Sequence, residues 1–210
     1  MNTTREDVYN LLFSPNTQDY DEEMYINLLQ FASSGKIVVV LTQSASAPKL
    51  LPLVNKLGIH MFGNKQSLQR LIFMNCDNVA TAIQKLLDLH KWRIRPNIIV
   101  LDLYAFAYLK DHPTRFPHGV SQAPLLKGYV QCIAVLLNMM NILKNEDAPN
   151  QHTSISKPIF SIVVLQKIVG LLTEQQVEVV VDLYYDSKIY REFKTISDFI
   201  NLLSSENSTK

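Results

Sequence analysis

Short β-branched runs alternate along this chain with longer segments of helical period, and that alternation restricts the fold more than any other feature. "KIVVVLT" (36–42), "RLIFMN" (70–75), "NIIVLDLY" (97–104), "IFSIVVLQ" (159–166) and "VEVVVDLYY" (177–185) are near-continuous in Val, Ile and Leu. Runs with so little polar alternation are strands covered on both faces, the state of a parallel sheet. Amphipathic helices between them supply the crossovers, so the pattern predicts an α/β fold with a mostly parallel sheet and helices on both faces. Two weaker strands flank the set, "DVYNLLF" (7–13) and "KIYREF" (188–193), the second closing a C-terminal β-hairpin with "VEVVVDLYY". With 210 residues, 47% of them hydrophobic, the chain is expected to form one domain with a substantial core.

Helices are expected at 22–33, 47–57, 78–91, 123–144 and 196–203. In the third, Val79, Ile83, Leu86, Leu87 and His90 fall on one stripe at three- and four-residue spacing, the face that would cover the sheet. The fourth is apolar nearly all round. Such a helix is either central to the core or half of an interface, so Tyr129, Ile133, Leu136, Leu137 and Met140 are candidate partner-interface residues. Loops are expected at 110–124, which holds three prolines, and at 144–158, polar throughout; both read as mobile.

The bulk properties exclude more than they propose. A formal net charge of +1 gives no global attraction to nucleic acid or to an anionic membrane. No apolar stretch reads as uninterrupted over the roughly 18 residues that span a bilayer, and the start of the chain lacks a secretory pattern. A soluble intracellular protein is expected. Cys76 and Cys132 have no partners at metal-ligand spacing and read as buried small hydrophobes. The five histidines are scattered and no catalytic set can be assembled, so neither a metal nor a small-molecule enzyme is proposed.

Three stretches invite a chemical reading. The opening strand, loop and helix have the outline of a phosphate-binding motif, yet residues 14–34 contain no glycine, lysine or arginine. A working loop needs glycines so that N–H groups converge on phosphate, and a lysine to reach it. Here Asp19, Asp21, Glu22 and Glu23 stand near the helix start instead, where they favour the helix dipole and repel a nucleotide. Asp102 ends the apolar strand "NIIVLD", where an ATPase places the carboxylate that orders a magnesium water. Without a loop to bring magnesium, a turn cap or a cation partner is the favoured role. In "HKWRIRP" (90–96), Lys91, Arg93 and Arg95 surround the only tryptophan, Trp92, as in a single-strand nucleic-acid platform. The plainer reading, a cation-favoured helix end with Trp92 packed in the core, is weighed above it. Gln166 ends a buried strand, as a polar switch or as a terminator of pairing.

Taken in order, these elements resemble a degenerate RecA-fold ATPase core. Similarity is best over "SLQRLIFMNCDNVATAIQKLLDLHKWRIRPNIIVLDL" (67–103), with "KIVVVLT" before it and "VQCIAVLLNMM" and "IFSIVVLQ" after. The family most closely resembled is that of the small recombinase paralogues that partner a SWIM-domain zinc-finger protein in the Shu complex of homologous recombination. The resemblance spans about 7–193. It implies that Asp102 stands at a degenerate Walker B position and Gln166 at a degenerate sensor position, where the second DNA-binding loop begins. The chain departs from that core at the Walker A position, where 14–21 carries none of the required residues, so a pseudo-ATPase that needs no cofactor is expected. The implied role is that of a nuclear accessory factor in DNA repair, a heterodimer with its SWIM-domain partner. Such a factor promotes assembly or stability of a RecA-family recombinase on single-stranded DNA, with no membrane involvement. "LTQSASAPKLLPLVNKLG" (41–58) is also loosely similar to RecA-like pseudo-ATPase subunits of the Elongator accessory complex, which act in tRNA modification; that is the alternative.

Overall fold

A computed structural model describes residues 8–13, 20–43, 68–103, 123–145, 159–164, 174–184 and 192–193. In chain order the elements are β1 (Val8–Phe13), α1 (Tyr20–Ser33), β2 (Val38–Gln43), β3 (Leu71–Cys76), α2 (Val79–Asp88), β4 (Ile98–Asp102), α3 (Ala123–Asn145), β5 (Ile159–Val164), α4 (Glu174–Tyr184) and β6 (Glu192–Phe193). The strands form one six-stranded sheet in the order β3-β2-β4-β5-β1-β6. Every ladder in it is parallel.

Both faces are covered, as the unbroken apolar runs require. Val39, Leu41, Ile99, Leu101 and Val163 share a core with buried residues of α2, α3 and α4. The alternate positions Val38, Val40, Ile98 and Val100 are equally sealed, on the side where Tyr25 of α1 meets the ring of Phe73 in β3 at 5.8 Å. Handedness explains the division. The step from β1 across to β2 runs one way over the sheet, while β3 to β4, β4 to β5 and β5 to β6 run the other way, and right-handed crossovers put the two sets on opposite faces.

Helix ends follow local chemistry. The amide of Lys36 donates to the carbonyl of Phe31 at 3.1 Å and that of Gly35 to Ala32 at 3.1 Å. With Gly35 at φ 91°, this is the Schellman stop, in which a left-handed residue suits glycine. The Lys36 ammonium lies over the Phe31 ring at 5.3 Å, and burial holds its pKa below the usual lysine range. At the start of α2, Asn78 accepts the Thr81 amide at 2.9 Å, an N-cap.

Three expectations are corrected. "VEVVVDLYY" is helical, not a strand: α4 runs Glu174–Tyr184. Val180 is buried and Tyr184 packs on the core four residues later, while Glu178, Val179, Asp182 and Leu183 face solvent. Valine's preference against helix is worth only a few tenths of a kcal/mol per residue, which inward packing exceeds. The C-terminal hairpin falls with it, because β6 pairs parallel to β1 through Leu12–Glu192 and Phe13–Phe193. Parallel neighbours need crossovers rather than tight turns. The buried face of α2 is Ala82 and Leu86, with Leu89 beyond it, and Leu87 and His90 are exposed.

α3 resolves the ambiguity of the over-apolar helix in favour of the core. Tyr129, Ile133, Leu136 and Met140 are all buried within the domain, so four of the five candidate partner-interface residues are already occupied. Only Leu137 is half-buried. By length and composition Leu126–Lys144 is long and apolar enough to cross a membrane, contrary to the expectation from its polar interruptions. Its sealed residues instead meet α2 and the sheet. The helices expected at 47–57 and 196–203, the bulk of both loops, and Gln166 lie outside the described residues.

Candidate functional site

In open α/β sheets, ligand crevices open outside the carboxyl ends of strands where neighbouring connections depart in opposite directions. β2 and β4 are such neighbours: the chain leaves β2 for β3 on one side, and β4 for β5 on the other. Their register pairs Leu41 with Leu101, which brings the next positions, Thr42 and Asp102, side by side at that border. The Thr42 hydroxyl donates to the Asp102 carboxylate (Oγ1 to Oδ2) at 3.2 Å. Both residues are 0% exposed. A carboxylate buried in this way must be satisfied internally, and the threonine hydroxyl supplies part of that satisfaction. Asp102 therefore stands at the carboxyl end of β4, buried and bonded to the neighbouring strand.

Tyr129 of α3 adds a third polar group. Its hydroxyl is buried and has no hydrogen-bond partner in the structure. Burial, then the charge of Asp102, then Cys132, drive its phenol well above the usual tyrosine range. Nearby, Cys132 is pushed up to about 12 by burial and by Cys76. Cys76, whose thiol donates to the Met74 carbonyl at 3.2 Å, is raised by burial first, with Lys85 pulling it down and Asp77 pushing it up. Both thiols are free and buried, so they stay protonated at neutral pH and lack nucleophilic character. Among the described residues no group of three or more His, Cys, Asp or Glu converges on a metal position. Tyr129, Cys132 and Cys76 all belong to the packed core beneath the helices.

On the other flank of this end, β1 leads through residues 14–19 into α1. The sequence there, "SPNTQD", carries no glycine and no cation, and Asp21, Glu22 and Glu23 occupy the first turn of α1. A helix start that would attract phosphate thus carries carboxylates in its first turn.

The "HKWRIRP" residues sit at the opposite end. Asn97, which follows them, binds Ile37 just before β2 through its amide at 2.8 Å and through Oδ1, which accepts the Ile37 amide at 2.9 Å. That fixes the stretch at the amino ends of β2 and β4, about 15 Å of strand from Asp102. Trp92 packs against the main core. Lys91 pairs with Asp88 at 2.6 Å, and Arg95 donates to the Leu143 carbonyl at 3.3 Å, satisfying one of the last carbonyls of α3. Arg93 is exposed. The four candidate nucleic-acid residues are therefore close in space, but with the ring turned into the protein and one cation committed to a helix end.

Thr42 and Tyr129 are the site residues that the sequence reading missed in this role. The signal was present in Thr42, since "KIVVVLT" and "NIIVLD" both end an apolar run on a polar residue, and in a parallel sheet such ends lie together. Nothing in the periodicity marks Tyr129 as anything other than an apolar helix position.

No family model matches the chain, and no curated protein does. Among solved structures it is similar to the crystal structure of the RadB recombinase, at 13% identity and a TM-score of 0.47, over 83% of this chain and 71% of that one.

Proposed function

We propose that this chain is a non-catalytic accessory factor of homologous recombination. In this reading it is a RecA-like core that no longer holds nucleotide and works beside a SWIM-domain zinc-finger protein. Together they promote assembly or stability of a RecA-family recombinase on single-stranded DNA in the nucleus. The observation that carries the reading is the state of the sheet's carboxyl end. Its β1–α1 connection lacks glycine, lysine and arginine, and Asp102, the buried carboxylate at the switch point, is bonded to Thr42. A parallel α/β frame with its ligand end closed in this way serves as a scaffold. Direct DNA contact, if made through "HKWRIRP", falls to Arg93 and Lys91, because Trp92 is packed on the core and Arg95 is held by Leu143.

The test is paired. Purified protein should show no ATP turnover above a blank, and tagged protein recovered from its own cells in moderate salt should bring down a SWIM-domain protein or a recombinase. Stoichiometric ATP turnover sinks the non-catalytic reading. Recovery of Elongator subunits in their place keeps the scaffold and overturns the pathway.

A further inference from the structure

Four large apolar side chains stand exposed among the described residues: Leu87 at 40%, Ile94 at 63%, Val179 at 50% and Leu183 at 63%. They fall into two pairs of opposite electrostatic character. Leu87 and Ile94 stand with His90, Lys91 and Arg93, all exposed, within one eight-residue stretch. Val179 and Leu183 are four residues apart on one face of α4, interleaved with the exposed acids Glu178 and Asp182. α4 carries no basic residue at all.

The fold sets α2, which carries Leu87 and leads on to Ile94, and α4, which carries Val179 and Leu183, at opposite edges of one helical layer. α2, α3 and α4 serve the successive crossovers β3 to β4, β4 to β5 and β5 to β6. They therefore follow the strand order across one face, with α3 in the middle. One outer helix leads into an apolar pair accompanied by Arg93 and by Lys91, itself paired with Asp88, and the other carries an apolar pair beside Glu178 and Asp182.

We propose that these flanks are the two halves of a contact between copies of this chain, the α4 flank of one copy seating against the α2 flank of the next. Charge complementarity commits the site to a second copy, because the molecule itself carries both the acidic-apolar and the basic-apolar surface. Lys91 already pairs with Asp88, so Arg93 is the leading cation. The contact is heterologous: the two patches differ, and each copy keeps one unfilled half. With two apolar side chains a side it belongs to the small, weak class of interface and is sensitive to salt. This inference uses neither the Asp102 end of the sheet nor any partner protein, but it draws on Arg93 and Lys91, the same cations to which the proposed function would give any DNA contact; sedimentation without DNA tests it separately.

Sedimentation velocity on the full chain, from micromolar to several hundred micromolar and at low and high salt, tests it. The expected result is a weight-average sedimentation coefficient that rises with concentration and falls back when salt is added. Lys91→Glu with Arg93→Glu makes both flanks acidic, and Glu178→Lys with Asp182→Lys makes both basic. Each double variant alone should associate at least about tenfold more weakly than wild type, and an equimolar mixture of the two should recover association. Recovery in the mixture also shows that both variants are folded. A wild-type chain that stays monomeric throughout overturns the proposal and leaves the flanks to other proteins. Association that survives either double variant, or a mixture that fails to associate, overturns it equally.

Discussion

Replacing Tyr129 by phenylalanine should stabilise this protein, although it removes a polar atom from beside Asp102. The ring belongs to the core cluster and is 2% exposed, and the hydroxyl has no hydrogen-bond partner. An unsatisfied buried hydroxyl costs about 1–3 kcal/mol, which the variant recovers, less a few tenths for the small void left behind. A gain of about 1 kcal/mol is expected, read as a rise of roughly 0.5 M in the urea midpoint at neutral pH. Alkaline pH supplies a second, sharper measure. The unfolded chain releases the phenol proton near 10.0, whereas burial and the Asp102 charge keep it on the folded protein well beyond that. Above pH 10 the folded state therefore binds the extra proton, and wild-type stability falls by up to about 1.4 kcal/mol per pH unit from this group alone. The variant lacks the group. Its advantage over wild type should widen by roughly 1.4 kcal/mol at about pH 11, the other titrating groups being common to both proteins. A Tyr129→Phe variant that is less stable at neutral pH, with a difference that does not change up to pH 11, would refute the reasoning. It would mean that the hydroxyl is bonded in the folded state.

Other expectations follow from the same packing. Cys76 and Cys132 should resist iodoacetamide at pH 8 in the native protein and react once it is unfolded in urea, since both are buried and raised above the usual thiol range; rapid native-state labelling counts against the placement of α3. Leu86→Ala should cost about 2–5 kcal/mol in urea unfolding, because Leu86 is 0% exposed at the centre of the α2 core face. Gly35→Ala should cost about 1–2 kcal/mol at its φ of 91°, from backbone strain and not from crowding: among the described residues the added Cβ would meet the Arg70 guanidinium, at an ordinary 3.4 Å. Asn78→Ala should cost about 1 kcal/mol through loss of the α2 cap to Thr81.

The sheet was legible in the sequence because burial on both faces leaves a direct trace in composition. "KIVVVLT" and "NIIVLD" have no polar residue between their first and last positions, and the structure places them as neighbouring central strands. The same trace misleads at "VEVVVDLYY". Four valines in five positions satisfy a strand rule, but α4 turns Val180 and Tyr184 inward and leaves Val179 and Leu183 in solvent. Composition records which residues are apolar and not which are buried, so a half-exposed valine helix and a buried strand read alike. Leu87 fails for the same reason, since an apolar residue at the edge of a stripe reads as core until the neighbour it would pack on is known to be absent.

The site was legible in its residues but not in its geography. Asp102 and the "HKWRIRP" cations lie within twelve positions of one another in the sequence, and nothing in that spacing reveals that β4 carries them to opposite ends of the sheet. Once the strand direction is known, the two separate: Asp102 falls at the carboxyl end, where ligand crevices form, and the cations fall at the amino end, where they do not. The chemistry at each end then follows from its partners. At the carboxyl end, Thr42 is aligned with Asp102 because parallel strands in register bring equivalent positions together. This parallel register turns two unremarkable strand endings into one buried polar pair. A nucleotide-binding sheet would leave that carboxylate open to solvent and ion. Here it is buried and bonded to Thr42, so this polar pair at the sheet's switch point is spent on holding the fold.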